Sequence, residues 1–221
     1  MARVTRRCIA VLGGSFDPVH NGHVALGVYF ANLLQADELR IIPAGNPWQK
    51  HGLHASPAER VAMVGAAFQG LPVPVVIDRQ EILRDNASYT IDTLRALRRE
   101  LGPEPSMAFL IGADQLLHLD TWQEWRAMFD HAHICAASRP GFAIGDAQVS
   151  PAVRAEFAER AGSVAEIRAR PHGMSYLATD LAVDISATEI RAQLQRNERP
   201  GKLVPAGVLD YIEQNNLYKR S

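Results

Sequence analysis

The sequence predicts an α/β fold in which helices cover both faces of an open parallel sheet. Short apolar runs alternate along the chain with longer amphipathic stretches. Successive apolar runs begin roughly 30 residues apart, which is the spacing of β-α-β units. Because such crossovers are right-handed and make consecutive strands parallel, the alternation favours one parallel sheet.

Five short runs are the predicted strands. Each is four or five residues long and mostly apolar, which is typical of strands buried inside a sheet. The first ends at Gly13-Gly14 and the second at Pro43, both of which stop a strand. In chain order the predicted strands are residues 8–12, 39–42, 73–77, 107–111 and 134–137.

The stretches between these strands carry helix signals. Ser56, Pro57 and Glu59 combine a serine cap, a proline at the first helical position and a glutamate three residues after the cap. Gly102 and Pro103 close another helix. The predicted helices are residues 22–35, 57–68, 90–101 and 115–129, and the turn-rich segment 43–56 is a predicted loop that the substrate orders as a lid.

The pattern is weaker after residue 142. It predicts a helix near 151–161, strand-like runs near 164–168 and 181–185, and closing helices near 187–196 and 206–216. No internal repeat, low-complexity tract or linker divides the chain, so we expect a single domain over residues 1–221.

Composition excludes several functional classes. The 23 Lys and Arg balance 24 Asp and Glu, giving a formal net charge of -1, so no overall field favours nucleic acid or an anionic membrane as partner. Cys8 and Cys135 stand in apolar runs without a CxxC motif or a Cys/His cluster, which fits a reducing cytoplasm and argues against a structural zinc. The apolar run at residues 8–12 is too short for a signal-peptide core or a membrane span.

The segment that can carry chemistry follows the first predicted strand: Gly13-Gly14-Ser15-Phe16-Asp17-Pro18-Val19-His20-Asn21-Gly22-His23. In open parallel sheets, ligands bind at the carboxyl ends of strands where the strand order reverses. Glycines let backbone N–H groups approach phosphate oxygens, and a helix start adds partial positive charge. His20 and His23, three residues apart, project to the same side and can donate to one polyphosphate.

Two other interpretations of this segment stay open. A Gly-Gly turn after a strand is often plain turn chemistry. His20 and His23 could be zinc ligands, although no third ligand stands at a recognisable spacing. The Walker and dinucleotide fingerprints are both absent.

The segment from Gly14 to His23 ends in His20-Asn21-Gly22-His23 and resembles the HxGH signature of the nucleotidylyltransferase superfamily. Further stretches narrow the resemblance to bacterial nicotinate-nucleotide adenylyltransferases and follow that family's order from residue 9 to 218. They are residues 43–50 (PAGNPWQK), 56–63, 81–84 (EILR) with 88–94 (SYTIDTL), 111–115 (IGADQ) with Trp122 and Trp125, 138–141 (SRPG) and 185–191 (ISATEIR). Two departures are PWQK at 47–50, where the family has PPH[KR], and Ala187, where it has serine.

The resemblance implies a Rossmann-like open parallel sheet with helices on both faces and a small C-terminal helical extension. It implies transfer of the adenylyl group of ATP to nicotinate mononucleotide, with Mg²⁺ bound through the ATP phosphates and no protein metal ligands. Homo-oligomer formation stays open. The implied catalytic residues are His20, His23 and Arg191; the implied ATP contacts are Gly13, Gly14, Ser15, Phe16, His20, His23, Gly112, Asp114, Ile185, Ser186, Thr188 and Arg191; and the implied mononucleotide contacts are Ser15, Lys50, Tyr89, Thr90, Trp122 and Arg139.

Several of these residues also have local interpretations. Ser186-Ala-Thr-Glu189 fits a capping box that opens a helix, which is compatible with an anion site. Asp114 fits a helix cap, and Tyr89-Thr90 fits a cap with packing. Trp122 and Trp125 fit core anchors, whereas the resemblance implies that Trp122 stacks on the pyridine ring and leaves Trp125 in the core.

Alternative functions stay open as well. The chain could adenylylate another phosphate ester, such as nicotinamide mononucleotide or phosphopantetheine, or it could be a catalytically silent nucleotide-binding protein. The SYTIDT and DTWQEW stretches favour a pyridine nucleotide, and the presence of both His20 and His23 favours an active enzyme.

Overall fold

The computed structural model describes residues 6–46, 53–84, 86–138, 148–181 and 185–219. Within them, six strands form one sheet in the order β3-β2-β1-β4-β5-β6, and every neighbouring pair is parallel. The strands are β1 (Cys8–Gly14), β2 (Glu38–Pro43), β3 (Val75–Ile77), β4 (Ser106–Gly112), β5 (His133–Ala137) and β6 (Ser175–Ala178). The predicted Rossmann-like α/β class is confirmed.

Helices connect the strands. They are α1 (Asn21–Leu33), α2 (Pro57–Ala67), α3 (Thr90–Leu101), α4 (Ala113–Leu117), α5 (Pro151–Glu159), α6 (Val164–Ala169), α7 (Ala187–Gln195) and α8 (Ala206–Gln214), with 3₁₀ turns at Leu119–Thr121 and Trp125–Asp130. The capping box before α2 is confirmed: the Glu59 amide donates to Ser56 Oγ at 3.3 Å, and the Ser56 amide donates to the Glu59 carboxylate at 2.6 Å. In the part of the chain that is described, no helix combines the length and hydrophobicity needed to span a membrane.

Apolar side chains fill both faces of the sheet. On one face Cys8, Ala10 and Leu12 of β1 belong to a buried cluster that includes residues of α1, α2 and α8. On the other face Ile9 and Val11 belong to a second cluster that includes residues of α3, α5 and the 3₁₀ turn at 125–130. Because successive side chains of a strand point to opposite faces, covering both faces requires β1 to be apolar throughout.

One strand predicted for the second half of the chain is wrong. Residues 164–168 form helix α6 rather than a strand, because the Ser163 hydroxyl accepts from the Glu166 amide at 3.3 Å and the Glu166 carboxylate accepts from the Ser163 amide at 2.9 Å. The sixth strand is instead β6, whose short sequence SYLA gives a weak pattern by itself. Of the strand-like run at 181–185, residues 181 and 185 lie outside any strand and residues 182–184 lie outside the described residues.

The helix predicted over residues 115–129 is interrupted. Helix α4 ends at Leu117, and the chain continues as two 3₁₀ turns separated by residues 122–124. Trp122 has an extended backbone, and Glu124 has φ of 48°, in the left-handed region. A continuous α-helix is incompatible with these dihedral angles.

Candidate active site

The candidate site lies at the carboxyl edge of the sheet, beside the end of β1. Within the sheet, β1 has two neighbours: β2, the next strand along the chain, pairs with one of its edges, and β4 pairs with the other. The strand order therefore reverses between β1 and β4, the position where open α/β sheets bind ligands. The predicted ATP contacts Gly13 and Gly14 end β1, and Gly112 ends β4.

The turn after β1 is closely packed, and one of its residues has an unusual backbone conformation. Phe16 is fully buried with φ of 50°, a left-handed conformation that costs a bulky residue of order 1 kcal/mol and recurs at functional sites. Its ring folds back over Gly14, where an added Cβ would lie 3.0 Å from two ring carbons. Gly14 is therefore needed for close packing as well as for access to the backbone.

His20 and His23 lie together at the start of α1, as the sequence predicts. Their rings stack with centroids 3.7 Å apart, and the Phe16 ring meets His23 edge-on at 4.9 Å. The His20 amide donates to His23 Nδ1 at 3.2 Å. Because an amide can only donate, Nδ1 is the unprotonated nitrogen and the His23 proton lies on Nε2, a hydrogen-bond donor.

Arg191, on helix α7, contacts the same turn. Arg191 Nη1 donates to the backbone carbonyl of Asp17 at 2.6 Å, and Nη2 donates to Thr188 Oγ1 at 3.2 Å. Residues 174 positions apart in the chain are thus joined. The sequence predicts this grouping only through the family resemblance, because no local pattern links Arg191 to the turn.

The capping box predicted at the start of α7 is wrong. Ser186 is the N-cap residue by backbone geometry, but its side chain makes no capping hydrogen bond. Glu189 instead accepts from the side chain of Gln193, one turn further along the helix, at 3.2 Å. Ser186 and Thr188 are exposed at the helix start, and Ile185 precedes them half-buried.

Arg60 is a site residue that sequence reasoning missed. It is 1% exposed, and its guanidinium donates to the carbonyls of Ser15 at 2.9 Å, Ala44 at 2.6 Å and Gly45 at 3.5 Å. It therefore ties the turn after β1 to the segment after β2. Burial lowers the pKa of Arg60 from its ordinary value, although the negative charge of Asp17 opposes the shift. A signal exists in the sequence, because Arg60 occupies the buried stripe of α2 with Met63, Val64 and Ala67.

Asp17, within the same turn, is also buried. Its carboxylate accepts from the amide of His54 at 2.8 Å, from the amide of Ala55 at 3.0 Å and from the hydroxyl of Tyr218 at 2.6 Å. Burial by itself would raise the pKa of Asp17, but these hydrogen bonds and the charge of Arg191 outweigh it and lower the pKa. The carboxylate is thus held in its charged form.

The predicted mononucleotide contacts Tyr89 and Thr90 lie at the start of α3, both half-buried. Tyr89 is the N-cap residue without a side-chain capping bond and packs against the second core cluster. The preceding Ser88 amide donates to the Asn46 carbonyl at 3.0 Å. This bond joins the start of α3 to the segment that follows β2.

A partly buried polar cluster supports that junction. Glu81 accepts from Thr93 Oγ1 at 2.7 Å, and Arg84 donates to the same hydroxyl at 3.1 Å. Burial raises the pKa of the Glu81 carboxyl. The backbone of Gly45 comes so close that an added Cβ would lie 1.9 Å from the Glu81 carbonyl oxygen. The EILR and SYTIDT stretches are therefore structurally connected, and both adjoin residues 44–46.

The two tryptophans differ in burial. Trp125 is 7% exposed in the core, which confirms its assignment as an anchor, whereas Trp122 is half-buried at the edge of the core and meets Phe109 edge-on at 6.3 Å. Asp114 does not cap α4: the N-cap is Gly112, whose amide donates to the Gln115 side chain at 3.0 Å. Asp114 is exposed in the first turn of that helix.

Two predicted contacts, Lys50 and Arg139, lie outside the described residues, as does the centre of the predicted lid. Among the residues that are described, no group of three His, Cys, Asp or Glu side chains is arranged to hold a metal ion.

The reversal of strand order, the glycines that end β1 and the donors beside them are the features with which α/β proteins bind nucleotide phosphates. Residues 11–193 match the model of the cytidylyltransferase-like family. A relative from Herminiimonas arsenicoxydans, described as a probable nicotinate-nucleotide adenylyltransferase, is 66% identical over 219 residues, covering 99% of this chain and 100% of its own. One from Laribacter hongkongensis with the same description is 42% identical over 99% of this chain and 98% of its own.

Solved structures show the same fold. The nicotinic acid mononucleotide adenylyltransferase of Plasmodium falciparum, complexed with NaAD, matches 96% of this chain and 97% of its own with a TM-score of 0.72 at 20% sequence identity. The chain belongs to the cytidylyltransferase-like family and, within it, to the nicotinate-nucleotide adenylyltransferases. The resemblance drawn from the sequence motifs is confirmed.

Proposed function

We propose that this chain transfers the adenylyl group of ATP to the phosphate of nicotinate mononucleotide, giving nicotinate adenine dinucleotide and pyrophosphate. The observation that carries the proposal is the turn after β1, where stacked His20 and His23 open α1 and Arg191 arrives from α7. The descriptions of the bacterial relatives support the choice of substrates.

The reaction needs no general base. The attacking group is a phosphate monoester, whose second pKa of about 6 leaves it doubly anionic near neutral pH. One of its oxygens forms a bond to the α-phosphorus of ATP as the bond from that phosphorus to the bridging oxygen breaks, and the electron pair leaves with pyrophosphate. The obstacle is repulsion between two anions, so catalysis consists of positioning and electrostatic stabilisation.

This chain offers donors suited to that task. The backbone of residues 13–15 and the dipole of α1 supply partial positive charge. His23 Nε2–H and the Arg191 guanidinium stand at the same edge and would donate to the α-phosphate and the leaving pyrophosphate. Ser186 and Thr188, exposed at the start of α7, are the proposed further phosphate contacts, with Asp114 on the ribose hydroxyls.

We propose magnesium as the divalent ion that accompanies ATP. Bound to phosphate oxygens and water, Mg²⁺ would reduce the charge repulsion that opposes attack. The buried carboxylate of Asp17 is already engaged by three donors. The chain's residues therefore fit an ion that is held mainly by the substrate.

The mononucleotide would occupy the side of the site formed by Tyr89, Thr90 and Trp122, with Lys50 and Arg139 as proposed phosphate contacts. Backbone N–H groups at the start of α3 suit a ring carboxylate better than a carboxamide, because the carboxamide NH₂ would face another donor. An unpaired buried donor costs about 1–3 kcal/mol, which predicts roughly 5 to 150-fold discrimination.

The direct test supplies purified protein with ATP and Mg²⁺ and, separately, nicotinate mononucleotide, nicotinamide mononucleotide and phosphopantetheine. Pyrophosphate release and the mass of the dinucleotide are measured. We expect the highest kcat/KM with nicotinate mononucleotide. Preference for either other ester would replace the proposed substrate, and nucleotide binding without any pyrophosphate release would indicate a silent binding protein.

Trp122→Ala tests the stacking assignment, with Trp125→Ala as the matched control in the core. If Trp122 stacks on the pyridine ring, its loss raises the KM for both pyridine mononucleotides and leaves their ratio nearly unchanged. Trp125→Ala should mainly lower the melting temperature. Unchanged KM values together with lower stability in Trp122→Ala would show that Trp122 is only an anchor.

A further inference from the structure

We infer that Tyr218, near the end of the chain, is a positioning residue for the adenylyl-transfer site, acting through Asp17 on the turn that carries His20 and His23. This inference rests on the proposed function, because its kinetic test measures adenylyl transfer. The geometry that supports it is independent of the substrate.

The contact between Tyr218 and Asp17 is buried and spans most of the chain. The phenol hydroxyl donates to Asp17 Oδ1 at 2.6 Å across a separation of 201 residues. Asp17 is 3% exposed and Tyr218 is 7% exposed. Hydrogen bonds to an ionised acceptor in such surroundings are stronger than those between neutral groups.

Asp17 is a junction of four chain segments. It belongs to the turn after β1, its carboxylate accepts from the amides of His54 and Ala55 before α2, and its backbone carbonyl accepts from Arg191 of α7. Tyr218 supplies the fourth segment. A shift of Asp17 would therefore displace the turn, the end of the 43–56 loop and the Arg191 guanidinium together.

The chain after α7 also contacts the start of α1. The Asn21 amide donates to the Leu203 carbonyl at 2.8 Å, and the Asn21 side chain donates to the Lys202 carbonyl at 3.0 Å. The first N–H of α1 thus donates to the C-terminal segment. The same segment therefore holds the turn at Asp17 and the helix at its first residue, on either side of His20.

The Tyr218 hydroxyl is the donor in its bond to the Asp17 carboxylate. Burial and the neighbouring Asp17 charge raise the pKa of Tyr218, so the phenol stays protonated at every working pH. Its removal takes one of three donors from a carboxylate that is almost inaccessible to water. We expect the carboxylate to move toward a new donor, carrying the turn with it.

Tyr218→Phe tests the inference, with Tyr211→Phe as a control that removes the same hydroxyl from α8 and leaves the bond to Asp17 intact. Both variants are assayed with saturating substrates at a temperature where circular dichroism shows them folded. We expect kcat to fall about tenfold in Tyr218→Phe, the order of effect of one charged hydrogen bond, and to stay near the wild-type value in Tyr211→Phe. A merely structural role would lower the melting temperature and leave kcat of the folded enzyme unchanged, which would overturn the inference.

A double-mutant cycle adds Asp17→Asn. If the two residues act through one another, the double variant loses little more kcat than the more impaired single variant. Multiplying effects would mean separate roles and would refute the coupling.

Amide exchange at His54 and Ala55 provides a readout that needs no turnover. These amides donate to the Asp17 carboxylate, so we expect faster exchange in Tyr218→Phe and unchanged exchange in Tyr211→Phe. If the wild-type protein made no dinucleotide, the proposed function would fail while this measurement still tested the coupling. Unchanged exchange at both amides in Tyr218→Phe would overturn the inference even in an active enzyme.

Discussion

Replacing Arg60 should damage both stability and activity, because this buried side chain joins two segments of the site. Its guanidinium contacts three backbone carbonyls, those of Ser15, Ala44 and Gly45. Arg60→Met keeps most of the apolar stem and removes every donor. Arg60→Lys keeps the charge but replaces the planar fork with a single ammonium that cannot follow the same geometry.

The magnitude follows from the contacts. In the wild-type protein the carbonyls of Ser15 and Ala44 accept from the Arg60 guanidinium at 2.9 Å and 2.6 Å. Arg60→Met removes both donors. A buried polar group left unpaired costs about 1–3 kcal/mol. Part of this cost is offset, because the variant no longer has to bury a charged group. We expect the free energy of unfolding to fall by about 3 kcal/mol for Arg60→Met and by about half of that for Arg60→Lys.

Urea unfolding followed by circular dichroism measures these changes. Arg99→Met, on the exposed side of α3, is the control and should change the free energy of unfolding by less than about 0.5 kcal/mol. In the folded variants kcat should fall, because the Ser15 carbonyl belongs to the turn that we propose binds phosphate. A loss below about 1 kcal/mol in Arg60→Met would show that water replaces the guanidinium and that it does not hold the turn.

Three further predictions concern single residues. His23→Ala should lower kcat by about 10² or more, as loss of one transition-state donor does, while leaving the fold intact, and near-normal turnover with saturating ATP would contradict its role. Gly45→Ala places a Cβ 1.9 Å from the Glu81 carbonyl oxygen, whereas Gly201→Ala has open space, so only the first should lower the melting temperature markedly; equal melting temperatures would refute the close approach. His133 is buried and its pKa is lowered to about 4, so the unfolded chain binds a proton at this residue at a higher pH than the folded protein does. The free energy of unfolding should therefore fall by about 2 kcal/mol from pH 7 to pH 5. In urea titrations His133→Asn should lose this dependence, and a pH profile identical to that of the wild type would exclude His133 as its source.

The sequence predicts those parts of the fold that depend on local signals. The glycine pair ends β1, and Ser56 with Glu59 caps α2, because each interaction involves neighbours in the chain. Strand β6 is different: its four residues become a strand only because β5 offers an open edge to pair with. Helix α6 does have a local signal, the capping box at Ser163 and Glu166, but its apolar residues also fit a short strand.

The same distinction applies to the site. His20 and His23 are predictable because their spacing places them on one side of a helix start. Arg60, Asp17 and Tyr218 are not, because their partners lie 45, 37 and 201 positions away. The one local sign is a charged residue in the apolar stripe of a helix, such as Arg60, because a charge at a buried position requires hydrogen-bond partners.

The charges near the turn have two distinct roles. A carboxylate that faced the phosphates of two anionic substrates would oppose their binding, yet Asp17 lies in this turn. Its carboxylate is 3% exposed and surrounded by the donors of His54, Ala55 and Tyr218, so a phosphate would not meet it. The buried Asp17 carboxylate therefore orders the turn, while the half-buried Arg191 guanidinium stays accessible at its edge. A nucleotide phosphate would meet hydrogen-bond donors there without a carboxylate from the turn, which is the electrostatic condition for joining two anions.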